Sequence, residues 1–347
     1  MRSLRLEAIP LMATAALLAA LAPPPVGLPL PLPVPEAAVA PVLAAAGALL
    51  FHRVAARFGD GPWSTNAAML LSSLALVGSA VPLGPALLLF AGYAGFDAGL
   101  RGRSDRAIGL GSAALACLVV LDRRYLLASA LLTLWILAAS LLRARRSTEP
   151  LRRRCLVLVA GALPVALDLW LRTPPMTQLP WSLGWLAAVP WLPLALLGVG
   201  MALRRPGREA SAAGVVFGLA GLGAWPGIAL SGLPLAALGL ARTVSWLRNR
   251  PGLTGPRGAG ALLGVGLAPS LVQVWARWQA TAGAAGGSKG LAIPALICLL
   301  FVAAATSLLY PGRASPSGRR QAMALCALSA VATALLTVLW HGAPRIS

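Results

Sequence analysis

Positive charge in this chain falls mostly on every second connection between long apolar runs. One set of connections holds Arg2 and Arg5; Arg53 and Arg57; Arg101, Arg103 and Arg106; the cluster from Arg143 to Arg154; Arg204, Arg205 and Arg208; Arg248, Arg250 and Arg257; and Arg313, Arg319 and Arg320. The intervening set is nearly bare. The positive-inside bias of a many-span membrane protein produces this alternation, because basic loops stay on the cytoplasmic side.

The apolar runs are 8–22, 37–51, 66–81, 84–100, 107–121, 125–142, 154–171, 182–203, 211–225, 228–247, 258–276, 291–310 and 321–341. A spanning helix needs about 20 residues. Backbone groups in lipid must be satisfied within a helix or a closed barrel. The runs lack the period-two alternation of barrel strands. The expected fold is therefore all-α, a polytopic transmembrane helical bundle of about 13 segments, 9–13 of them true spans. It forms a single integral membrane domain over 1–347, since no connection is long enough for a soluble domain.

Counting sets the orientation. With the N-terminus inside, 22 Lys and Arg lie on inner segments and 6 on outer ones, and Arg242 sits within a run. The expected topology is N-in and C-out. Two pairs of runs stay open. Read as single helices, 66–100 and 211–247 would be about 52 and 55 Å long, against a bilayer core of about 30 Å. Each is a spanning hairpin or a re-entrant pair, and both options return the chain to the same side.

The N-terminus offers two readings. Arg2 and Arg5 before an apolar run ending Ala20-Leu21-Ala22 resemble a secretory signal. Pro23, Pro24 and Pro25 would follow the cleavage point directly, so an uncleaved first helix is expected. The proline-rich stretch 23–35 carries no Lys or Arg and suits an extended outer connection. The Arg-rich stretch 143–154 is an inner loop.

The net charge of +20 suggests nucleic acid at first sight. The arginines form short clusters between apolar runs rather than one soluble stripe, so no nucleic-acid partner is expected. Anionic headgroups of the inner leaflet are the expected partner. Cys117, Cys155, Cys298 and Cys326 form no CxxC pair and read as small packing residues.

Of nine acids, all but Glu36 have an Arg within four positions. Asp97–Arg101 and Asp168–Arg172 have the i, i+4 spacing that places both groups on one helix face. An ionisable group within a span is a functional hypothesis by default. Asp97 and Asp168 are therefore the candidate functional carboxylates, for protonation or substrate contact. Arg101 and Arg172 are their candidate ion-pair partners. Gly95 and Gly99 flank Asp97 at a spacing that lets another helix approach the carboxylate closely. Gly214 and Gly218, and Gly260 and Gly264, repeat that spacing.

Trp170, Trp181, Trp185, Trp225, Trp275, Trp278 and Trp340 fall near outer ends, as an interfacial belt does. Trp181, Trp185 and Trp191, beside Pro180, Pro190 and Pro193, either join that belt or line an outer cavity. Prolines inside the runs predict kinked helices.

Absent motifs narrow the function. The chain has two histidines, His52 and His341, no HExxH, no clustered Cys/His set and no phosphate loop with Lys. No metal, no cofactor and no self-contained catalytic activity are expected. The expected function is a non-catalytic subunit or transport-pathway component of a larger bacterial inner-membrane complex, one that moves protons or ions, with other membrane subunits as partners. The alternative is a stand-alone transporter or flippase for a lipid-like or hydrophobic solute.

Overall fold

The computed structural model describes residues 35–59, 82–102, 104–144, 192–223 and 225–248, with isolated residues and short stretches before 35, between 59 and 82, and at 159. The described residues contain no strand. In chain order the helices are α1 (Glu36–Ala55), α2 (Leu83–Gly102), α3 (Asp105–Leu121), α4 (Leu126–Ala144), α5 (Leu192–Leu203), α6 (Glu209–Gly223), α7 (Pro226–Ala229) and α8 (Leu233–Arg248). Three stretches are long and apolar enough to cross a membrane: Ala38–Ala55 within α1, Leu83–Gly102, and Arg123–Leu142 around α4.

The helix boundaries follow local chemistry. At the start of α3, the Ser104 side chain accepts from the Ala107 N–H at 3.3 Å, and Asp105 complements the positive end of the helix. Before α4, Asp122 accepts from the Arg124 backbone N–H at 2.9 Å and pairs with its guanidinium at 2.7 Å. That capping turn, Arg123–Tyr125, is 3₁₀. Helix α1 continues past the apolar run that ended at residue 51, through His52 and Arg53. His52 is buried there, so the charge boundary and the helix boundary differ.

The run 228–247 is not one regular helix. Short α7 is followed by a 3₁₀ turn at Leu230–Gly232, and α8 begins at Leu233. Pro226 opens α7 at a position where its missing N–H leaves no helical bond unmade. The connection after α6 is thus longer than the Pro226-Gly227 pair predicts. Runs 258–276, 291–310 and 321–341 lie outside the described residues, as does nearly all of 66–81 and 154–171.

Three close helix pairs, α2/α3, α4/α6 and α5/α8, form the bundle, with α2 at its centre, also touching α1, α4, α6 and α8. Of the span-length stretches, 72% of α2 is buried, against 33% of the α1 stretch and 39% of the α4 stretch. Small residues set the close pairs. A Cβ on Gly95 would meet the Ala107 carbonyl and the Gly111 backbone of α3. A Cβ on Gly214 would strike the Trp135 ring, and one on Gly221 the Ala128 backbone. The Gly95/Gly99 expectation needs correction on one point. Those glycines face α3, whereas Asp97, two residues on, points to the opposite side of α2. Gly260 and Gly264 lie outside the described residues.

Large apolar side chains remain exposed on the outer faces: Leu110 on α3, Leu134 and Leu141 on α4, and Leu196 on α5. Cys117, expected to pack inside, is exposed on α3 because it lies on the face turned away from α2.

The turn between α5 and α6 is legible from its residues. Arg208 N–H donates to the Arg205 carbonyl at 3.0 Å, and Gly207 has φ of 83°. Pro206 followed by a positive-φ Gly is the type II pattern. Gly207→Val is expected to cost about 1–2 kcal/mol from backbone strain alone, since nothing lies within 4 Å of the added Cβ. A thermal melt of the purified variant checks this, and an unchanged midpoint would contradict the turn.

Candidate functional site

Asp97 lies on the last turn and a half of α2 and is 1% exposed. Burial of a carboxylate requires charge partners and hydrogen bonds for its oxygens. Asp97 draws them from three parts of the chain. On its own helix, Arg101 Nε donates to Oδ1 at 3.1 Å, the i, i+4 pair expected from sequence. From the turn after α1, Arg57 donates an Nη–H to Oδ2 in a short contact. From the first turn of α6, the Ser211 hydroxyl donates to Oδ1 in another short contact. Arg101 also reaches Ser211 Oγ from its Nε at 3.1 Å.

The partners are held from below. Tyr93 is fully buried one turn before Asp97, and its hydroxyl donates to the Ser211 carbonyl at 3.0 Å. Trp135 on α4 donates its indole N–H to the Ala210 carbonyl at 2.8 Å. The Tyr93 and Trp135 rings stack at 5.5 Å between centroids, and Phe90 and Phe51 continue the aromatic column. Two aromatic donors thus grip the first turn of α6 and set Ser211 against the carboxylate.

The turn carrying Arg57 is anchored independently. Phe58 is 1% exposed, and Arg208 donates to its carbonyl at 2.9 Å. Arg57 and Arg208 both belong to connections that the charge alternation assigns to the inner side. Here they meet Arg101, from a third such connection, at one end of the bundle.

The buried carboxylate, bonded to two guanidiniums and a hydroxyl, links α2 to the turn after α1 and to the first turn of α6. Among the described residues, no group of three or more His, Cys, Asp or Glu is placed to hold a metal ion.

The sequence identified Asp97 as a candidate carboxylate and Arg101 as its i, i+4 partner. The structure adds that the carboxylate is buried and that Arg57, Ser211 and Tyr93 complete its surroundings. None of these three carries a local signal. Arg57 sits 40 positions away from Asp97 and Ser211 sits 114 away. Asp168, Arg172, Trp181, Trp185 and Trp191 lie outside the described residues. Trp225, assigned to the outer belt, is half-buried against the core at the start of α7.

A second feature lies near the opposite end of α6. An apolar hollow of about 170 Å³ is lined by Leu192 and Leu196 of α5, Leu219 and Leu222 of α6, Leu230, and Leu233 of α8. No protein-family model, curated protein or solved structure matches this chain.

Proposed function

We propose that this chain is a polytopic protein of a bacterial inner membrane, N-in and C-out with about 13 segments. In this reading it serves as a non-catalytic subunit, or a transport-pathway component, of a larger membrane complex that moves protons or ions. The observation that carries this is the state of Asp97. It is the one fully buried acid among the described residues, and its oxygens are occupied by Arg57, Arg101 and Ser211. A relay or substrate-binding carboxylate needs an open face, and this one serves as a fastening between helices. The exposed leucines on α3, α4 and α5 suit contact with lipid or with partner helices. The meeting of Arg57, Arg101 and Arg208 at one end supports the topology, because the alternation puts all three on the inner side.

The alternative is a stand-alone transporter or flippase for a lipid-like or hydrophobic solute. The leucine-lined hollow favours it, since a site for such a solute is mostly apolar. Purification of the tagged chain from its native membrane in mild detergent separates the two. The subunit reading expects stoichiometric co-purification of other membrane proteins through size exclusion. Migration as a chain alone, with lipid only, overturns it in favour of the transporter.

A further inference from the structure

The cluster around Asp97 is unbalanced in charge. One carboxylate answers two guanidiniums, and Arg208 lies alongside through its bond to the Phe58 carbonyl. The other described acids at this end, Asp105 and Glu209, open α3 and α6, where they complement helix N-termini.

Arg57 and Arg101 each keep 35% of their side-chain surface exposed, while Asp97 keeps 2%. A guanidinium carries five N–H donors. Arg57 spends one of its Nη groups on Asp97, and Arg101 spends Nε and one Nη on Asp97 and Ser211. Both guanidiniums therefore keep donors beyond those spent on Asp97 and Ser211, and both keep part of their surface exposed.

Their height is also defined. Helix α2 has 20 residues, about 30 Å at 1.5 Å per residue, which matches a bilayer core. Arg101 is one residue from its end. In the membrane reading this is the level of the lipid phosphates. At the same end, Leu141 and Leu142 on α4 and Leu203 on α5 are 63%, 64% and 40% exposed. Exposed leucines at the same end of the bundle as a pair of part-exposed guanidiniums fit a molecule with an anionic head and acyl chains. A soluble acidic protein would not use the leucines.

We infer that Arg57 and Arg101 hold the phosphodiester of an anionic phospholipid at the inner end of the bundle, with Asp97 limiting how strongly they do so. Guanidinium pairs suit this ligand because they bind phosphate oxygens in a forked geometry. The inference rests on the membrane placement above, and it is independent of whether the chain works as a subunit or alone.

The test uses the purified full chain, delipidated in mild detergent and titrated in native mass spectrometry. The probes are phosphatidylglycerol, phosphatidylcholine of the same chains, and, in a parallel thermal melt, inorganic phosphate. Phosphatidylglycerol is expected to bind more tightly than phosphatidylcholine. Arg57→Gln is expected to weaken phosphatidylglycerol about five-fold, with phosphatidylcholine unchanged. Asp97 keeps Arg101 and Ser211 in that variant, so the fold is retained. Asp97→Asn is expected to strengthen phosphatidylglycerol binding while lowering the melting temperature. A purely structural ion pair would lower stability in both variants and leave lipid preference alone, and that result would overturn the proposal. Equal binding of the two lipids by the wild type would also overturn it. Stabilisation by millimolar phosphate equal to that by phosphatidylglycerol would overturn the assignment to a lipid. If Asp97→Asn does not fold, the Arg57→Gln comparison decides alone. Co-purification of partners is measured separately, so either proposal can fail while the other stands.

Discussion

Gly198→Val is expected to part α5 from α8 and to cost about 3 kcal/mol or more. A Cβ at Gly198 would lie 1.9 Å from the Gly239 carbonyl oxygen and 2.5 Å from Thr243 Oγ1. The first of these is backbone, so no rotamer change relieves the clash and the two helices must separate. Separation also lengthens the bond from Thr243 Oγ1 to the Leu194 carbonyl, now 2.6 Å. Gly200, two residues on in the same helix, is the control, because nothing lies within 4 Å of its Cβ position. Valine has a slightly better helix propensity than glycine, so Gly200→Val is expected to be neutral or mildly stabilising. The measurement is the thermal midpoint of both purified variants in one detergent. Equal midpoints would show that α5 and α8 do not touch at Gly198.

Asp97→Ala is expected to lower stability by about 2 kcal/mol, the second large effect. Breaking a wholly buried ion pair by removing one partner costs about 3–5 kcal/mol. Arg57 and Arg101 are each 35% exposed, so solvent screens part of the stranded charge and reduces the loss. Arg57→Gln is expected to cost less, because Arg101 and Ser211 remain on the carboxylate. The double variant tests the coupling. Residues in direct contact have non-additive effects, so Asp97→Ala with Arg57→Gln is expected to be less destabilising than the sum of the two. Strict additivity in thermal or denaturant unfolding would mean that the pair does not form in solution.

The helical architecture was legible because the apolar runs are continuous and lack the period-two alternation of strands. Runs 84–100 and 107–121 correspond to α2 and α3 within a few residues. The caps are equally local: Ser104 and Asp105 open α3, and Pro206-Gly207 makes the turn before α6. The reading failed where a boundary depends on burial rather than on charge. His52 and Arg53 looked like the end of a span, yet α1 carries them inside its last turn. It failed again within 228–247, where the Leu230–Gly232 turn interrupts an apolar stretch that composition alone reads as continuous.

The candidate site divides in the same way. The i, i+4 spacing of Asp97 and Arg101 is helix geometry, so sequence determined that pair. The alternation of charge placed Arg57, Arg101 and Arg208 on a common side. Which of these arginines reaches the carboxylate was decided by packing alone. Phe58 seats the turn that carries Arg57, and Tyr93 and Trp135 grip the first turn of α6 so that Ser211 meets Asp97. Side-chain spacing along one helix is periodic and can be read from a string of residues. Contacts between helices depend on the angle and depth at which they pack, which in this bundle are set by glycines pressed against backbone and by one aromatic column.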